Sequence, residues 1–165
     1  MTDNVRGVVS ESRVINAPAD RIFALLADPS RHLEFDGSQM VRGAADNRSI
    51  TGVGDVFVMK MYFDRLGGDY VMRNEVVEFD PPRRIGWAPG PGDRRSAGDR
   101  FPVNESIGHR WIFDLAPDGP DSTVVTETYD CSAVPEWFQQ QMDYGEIWRD
   151  AIAETLERLD KACRV

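Results

Sequence analysis

The residues best suited to chemistry lie on two neighbouring stretches, 106–115 and 123–131. Two-residue alternation along the first puts His109, Trp111, Phe113 and Leu115 on one strand face, with Arg110, Ile112 and Asp114 on the other. If the hairpin sets Leu115 opposite Val124, then His109 falls opposite Asp130 and Trp111 opposite Thr128. A histidine oriented by an aspartate can act as a general base, for example to remove a proton beside a carbonyl. Arg73 or Tyr129 is the expected carbonyl partner. The plainer expectation is a His109 that is hydrogen-bonded and inert at a cavity rim, and a slip of one residue in register dissolves the pairing.

Arg73 shares one face of 69–79 with Glu75, against Tyr70, Met72, Asn74 and Val76 on the other. Turned inward, the Arg73–Glu75 pair is costly unless it meets a polar ligand, so the solvated face is the ordinary reading. Alternation alone leaves open whether Glu127 and Tyr129 or Thr126 and Thr128 face inward. His32, with Glu34 and Asp36, has poor spacing for a joint metal site, because residues two apart do not share a helix face. No nucleophile elbow, Walker loop or dinucleotide fingerprint occurs, so neither a metal nor a cofactor is expected. Cys131 and Cys163, far apart and without partners at ligand spacing, read as two free thiols in a reducing compartment.

The apolar residues make the stronger collective pattern. Met59, Met61, Trp87, Trp111 and Trp148 supply soft or aromatic surface of the kind that adapts to flat apolar ligands. With Phe35, Phe113 and Ile152 they are the expected lining of a cavity, although each taken singly also suits an ordinary core.

Something must hold these residues around a common space, and the spacing predicts what. Residues 144–163 form an amphipathic helix whose apolar positions are Ile147, Trp148, Ala151, Ile152, Thr155, Leu159 and Ala162. One helix cannot bury that stripe alone, so strands must cover it. Strands are expected at 8–16, 39–44, 53–63, 69–79, 84–87, 106–115 and 123–131, separated by tight-turn groups such as Leu66-Gly67-Gly68, Asp80-Pro81-Pro82 and Pro117-Asp118-Gly119-Pro120. That gives about seven strands, within the usual range for one antiparallel sheet. Two short helices, 20–27 and 30–35, follow the first strand, and 134–143 is either a loop or a helix running into the terminal one with a kink at Gly145. The glycine-bearing stretch 88–104 reads as a lid or a long surface connection.

At 165 residues the chain suits one domain, 1–165, with a genuine core. Its net charge of -9 argues against nucleic acid, whose affinity comes from clustered Lys and Arg. The segment 1–10 lacks the apolar run of a signal peptide, and no stretch reaches the roughly 20 apolar residues of a membrane span, so a cytoplasmic location without integral membrane association is expected. Oligomeric state stays open.

The stretch 12–29, with Asn16-Ala17-Pro18-Ala19-Asp20 inside it and Asp28-Pro29 at its end, resembles the opening of START-like proteins of the Bet v 1-type superfamily, in the polyketide cyclase/dehydrase and lipid-transport branch. The segment Val76-Val77-Glu78-Phe79-Asp80-Pro81-Pro82-Arg83-Arg84-Ile85-Gly86-Trp87, the run Ser122-Thr123-Val124-Val125-Thr126 and the terminal helix are similar too. The resemblance implies an α+β helix-grip fold: a seven-stranded curved antiparallel sheet around a long C-terminal helix, with two small helices after strand 1. It implies three functions on that one fold. The first is binding of a small hydrophobic ligand, such as a lipid or polyketide, in the cavity. The second is cyclisation and dehydration of a poly-keto chain there, with His109 and Asp130 as acid/base pair. The third is an interaction role in regulating a chaperone, whose usual hallmarks are not evident in this chain.

Overall fold

Runs of β-branched and aromatic residues between strong turn formers become seven strands: β1 (Val8–Ile15), β2 (Val41–Ala44), β3 (Val56–Phe63), β4 (Gly68–Asp80), β5 (Arg84–Pro91), β6 (Arg110–Pro117) and β7 (Thr123–Asp130). The computed structural model describes residues 5–164; the first four residues of the stretch 1–10 lie outside the described residues. Every pairing is antiparallel, and the sheet order is β1-β7-β6-β5-β4-β3-β2. Strands β2 to β7 are successive hairpin neighbours, so the chain crosses between the sheet edges only once, after β1. That crossing carries α1 (Ala19–Leu26) and a 3-10 helix, Pro29–Glu34. Helix α1 buries Ile22, Phe23, Leu25 and Leu26 at one end of the sheet. Asp28 caps the 3-10 helix by accepting from the Ser30 amide.

Register breaks between Val41 and Gly43 and between Val76 and Glu78 insert bulges, which add twist and curvature to the sheet. Strand β5 continues to Pro91, past the expected end at Trp87, and α2 (Arg94–Ala97) follows with Asp93 and Ser96 forming a reciprocal cap. The stretch 88–104 is therefore partly ordered sheet rather than one long connection.

On the concave side lies α4 (Arg149–Ala162), preceded by α3 (Glu136–Gln141). The terminal helix starts at Arg149 rather than at 144, because Tyr144 (φ 53) and Gly145 (φ 94) both adopt left-handed backbone and break the ladder. This kink re-aims the stripe. Ile147 is 52% exposed, whereas Ile152, Thr155, Leu156, Leu159 and Asp160 form the buried face. Burying side chains such as Ile152, Leu156 and Leu159 contributes about 1.5–3 kcal/mol each. Asp160 accepts from Arg13 of β1 at 3.0 Å and from Arg164 at 3.1 Å, which joins the helix to the sheet edge.

Gly37 docks the segment before β2 against α4. Its amide donates to Thr155 Oγ1 at 2.9 Å, and an added Cβ would stand 2.6 Å from the Thr155 nitrogen and closer still to the Ala151 carbonyl. Only glycine fits that approach. The whole is an α+β helix-grip architecture, as the sequence implied. Among the described residues no helix is long and apolar enough to cross a membrane, and Cys131 and Cys163 are free and buried.

Candidate functional site

The sheet curves away from α4 and leaves a cavity of about 190 Å³ between them. All eight residues expected to line such a space border it: Phe35, Met59, Met61, Trp87, Trp111, Phe113, Trp148 and Ile152. They arrive there by simple geometry. Strands β3, β5 and β6 send alternate side chains to the concave face, while Trp148 and Ile152 descend from the start of α4. The rings pack edge to face or tilted, with Trp111 and Trp148 centroids 6.1 Å apart and Trp87 and Phe113 5.9 Å apart.

The polar residues separate into two groups. The β6–β7 hairpin closes with Pro117 opposite Thr123, and this sets Leu115 opposite Val125, Trp111 opposite Tyr129 and Arg110 opposite Asp130. The register is one residue away from the expected one, and a slip of one moves every side chain to the other face. His109 and Asp130 are therefore not a pair. Asp130 turns to the convex side, where Arg110 lies 3.4 Å from it and Ser132 donates to it. Burial raises the Asp130 pKa, but the Ser132 hydrogen bonds and Arg110 outweigh it and hold the carboxyl below its ordinary value. Arg73 likewise faces outward, between Met72 and Asn74, which border the cavity. Neither residue reaches the space.

His109 and Tyr129 do meet. Nδ1 of His109 is 2.8 Å from the Tyr129 hydroxyl, which also donates to Met142 Sδ at 3.1 Å. The phenol has one proton to give. Directed at Met142, it leaves Nδ1–H as donor and Nε2 as a lone pair; directed at Nδ1, it leaves Nε2 as the donor. Burial lowers the His109 pKa to about 4, opposed only by the Pro89 carbonyl, which lies outside hydrogen-bond geometry. The ring is thus neutral at ordinary pH. Burial also raises the Tyr129 pKa, and the nearby Trp148 indole opposes that weakly without making a hydrogen bond.

Three further groups, whose placement alternation and spacing left open or assigned to no site, also border the cavity. Glu127, two residues before Tyr129 on the same face, is 5% exposed and points into the cavity. Desolvation, reinforced by Asp36, raises its pKa well above its ordinary value, which favours the neutral acid. Asp36 borders the same space and accepts from Ser38 and Val41. His32 stacks on Trp87 with centroids 5.1 Å apart, is bound through Nε2 to the Leu26 carbonyl, and has its pKa lowered by burial. Period-two alternation would have revealed Glu127 once Tyr129 was fixed on the inner face; nothing local distinguishes His32.

His109 Nε2, Glu127 Oε2 and Trp148 Nε1 are buried without hydrogen-bond partners, and all three belong to residues lining the cavity. No Lys or Arg is among its lining residues, as described. Among the described residues no cluster of three or more His, Cys, Asp or Glu is arranged to hold a metal ion.

Comparisons with known proteins agree with this architecture. The Mycobacterium tuberculosis protein Rv0088, itself uncharacterised, is 34% identical over 127 residues, which cover 77% of this chain and 49% of that protein. The chain thus spans about half the length of the curated relatives it matches. Protein Ms6760 of Mycobacterium smegmatis superposes with a TM-score of 0.65 at 19% identity, covering 95% of this chain and 90% of that one. The Zhui aromatase/cyclase of Streptomyces sp. R1128 superposes with a TM-score of 0.63 at 13% identity, over 95% and 93% of the two chains. These two show a shared fold. The sequence profile described as "Polyketide cyclase / dehydrase and lipid transport" matches residues 6–164, so the chain belongs to that family.

Proposed function

We propose that this protein binds a compact, largely apolar ligand between its sheet and α4. The observation that carries the reading is the cavity of about 190 Å³ walled by Trp, Phe and Met side chains. A dry apolar cavity of about 150 Å³ admits benzene, so the space here suits a ligand of one or two rings. Drug-sized pockets run to about 300–1,000 Å³, and a longer poly-keto chain therefore requires the segment around Gly37 or α4 to give way. Burying about 200 Å² of ligand carbon is worth about 5 kcal/mol before the cost of immobilisation. A cytoplasmic carrier belongs to the same proposal, supported by two free buried thiols.

Native mass spectrometry of the purified protein, followed by titration with naphthalene read by tryptophan fluorescence, tests this directly. Met61→Trp fills the cavity and should abolish binding while the fold persists. Equal binding to that variant sinks the reading.

A second reading, turnover of a carbonyl compound in the same cavity, is favoured by one observation: His109 Nε2 is unpaired while Nδ1 of the same ring is held by the Tyr129 hydroxyl. In the Nδ1–H tautomer, Nε2 removes a proton alpha to a ketone, and Tyr129 or the Trp148 N–H hydrogen-bonds the resulting enolate oxygen. The enolate carbon then attacks a second carbonyl of the chain and the new alkoxide regains the proton from His109, giving a β-hydroxy ketone; His109 removes a second alpha proton and returns it to the departing hydroxide, so that a C=C bond forms and water leaves. Conversion of a poly-keto substrate should collapse in His109→Ala; undiminished conversion removes His109 from the chemistry.

A further inference from the structure

The cavity holds a carboxyl group that neither ligand-binding by apolar contact nor carbonyl chemistry at His109 uses. Glu127 occupies the concave face of β7, opposite Phe113, with the Trp111–Tyr129 pair next along the hairpin. The Trp111 and Tyr129 rings are 4.5 Å apart, and Trp148 closes over both at 6.1 and 6.3 Å. Oε2 of Glu127 has no partner, and the residue is buried. Asp36 enters the same space from the loop before β2.

Two carboxyl groups and several aromatic faces thus surround a cavity whose described lining contains no Lys or Arg. The other charges nearby are already matched. Glu11, across from Glu127 on β1, pairs with Arg149 of α4 at 2.7 Å, and Arg13, opposite Val125, pairs with Asp160 of α4. His32 and His109 enter as uncharged rings, and Tyr70 and Tyr129 as neutral phenols.

Aromatic faces attract cations through the ring quadrupole, and most strongly where water is excluded. A buried carboxylate is stable when it faces an opposite charge. We propose that the ligand carries a basic nitrogen, and that its ammonium group pairs with Glu127 among the rings of Trp111, Tyr129 and Trp148. This rests on the cavity being a binding site. A neutral carbonyl ligand would accept one hydrogen bond from protonated Glu127 but would bring no positive charge to the aromatic faces or to Asp36, which borders the same space.

Pairing has a proton signature. Burial favours the protonated form of Glu127 in the free protein and an ammonium ligand favours the carboxylate, so binding releases a proton and tightens with pH while the amine stays charged.

Isothermal titration calorimetry with 2-phenylethylamine, 2-phenylethanol and propylbenzene, which have nearly the same shape, separates the cases. The wild-type protein should bind the amine at least about tenfold more tightly than propylbenzene. Across buffers of different ionisation enthalpy the amine should release about one proton and the other two none. Glu127→Gln should lose the amine preference and the proton release while keeping propylbenzene. Propylbenzene or the alcohol binding as well as the amine, or amine binding without proton release, overturns the inference and leaves the cavity reading standing. Preference for the alcohol that survives in Glu127→Gln also overturns it, assigning Glu127 as donor to an uncharged oxygen. Failure of all three probes removes both this inference and the binding reading.

Discussion

Glu127→Gln should change the pH dependence of stability in one direction only. In the native protein burial, reinforced by Asp36, raises the Glu127 pKa well above that of an unfolded glutamate, which is near 4.3. The folded state therefore keeps a proton that the unfolded chain releases. Linkage then gives the sign: this contribution is fully present below about pH 4.3 and is lost as pH rises toward the folded pKa. Between those limits the wild-type protein should lose about 1.4 kcal/mol per pH unit relative to Glu127→Gln, because one proton separates the two states. Glutamine brings a buried amide donor that costs about 1–3 kcal/mol, but this offset is independent of pH and leaves the slope untouched. His32 and His109 act with the opposite sign, since burial lowers both, and they are common to the two proteins, so they cancel in the difference. Urea unfolding of both proteins at about pH 4.5, 5.5 and 6.5, with the slope m constant, reads the effect. Parallel stability curves would contradict this, because they require Glu127 to titrate as an exposed carboxyl.

Tyr129→Phe removes the partner of His109 Nδ1 and should cost about 1–3 kcal/mol in a thermal melt, as a buried polar atom is left unpaired. Burial holds His109 neutral down to about pH 4, so His109→Gln should abolish about 3 kcal/mol of the wild-type destabilisation seen as pH falls from about 6.5 to 4 in chemical denaturation. Gly37→Ala places a methyl group against the α4 backbone and should destabilise by about 1–3 kcal/mol, whereas Gly52→Ala, with open space around it, should stay within about 0.5 kcal/mol. Arg73→Ala and Asp130→Asn alter only the convex face, and each should leave naphthalene affinity within about twofold in the fluorescence titration.

The strands were legible because their boundaries are written in local chemistry. Gly67, Pro81-Pro82 and Pro117-Asp118-Gly119-Pro120 end one strand and start the next wherever they occur. Cavity residues such as Met59, Met61 and Trp111 followed from alternation alone, since a side chain's face depends only on its place in its own strand. Register is a relation between two strands, fixed here by how the 117–123 loop closes, and composition does not specify that closure. One residue of difference exchanged Asp130 for Tyr129 as the neighbour of His109. The start of α4 was hidden for a similar reason: Tyr144 adopts left-handed backbone, which tyrosine does not favour, beside a Gly145 that lies close against Tyr129 and Val9 of the sheet. Glu127 was obscured because a carboxyl on a strand is ordinarily solvated, and only the cover supplied by α4 makes it a cavity residue.

Ligand entry into the space beneath α4 is tested most directly by the four tryptophan indole N–H resonances during titration with naphthalene. Trp87, Trp111 and Trp148 border the cavity, while Trp137 stacks on Phe101 away from it. Ligand entry should shift those three signals saturably and leave Trp137 unmoved. Shifts confined to Trp137, or none at saturating naphthalene, would contradict it.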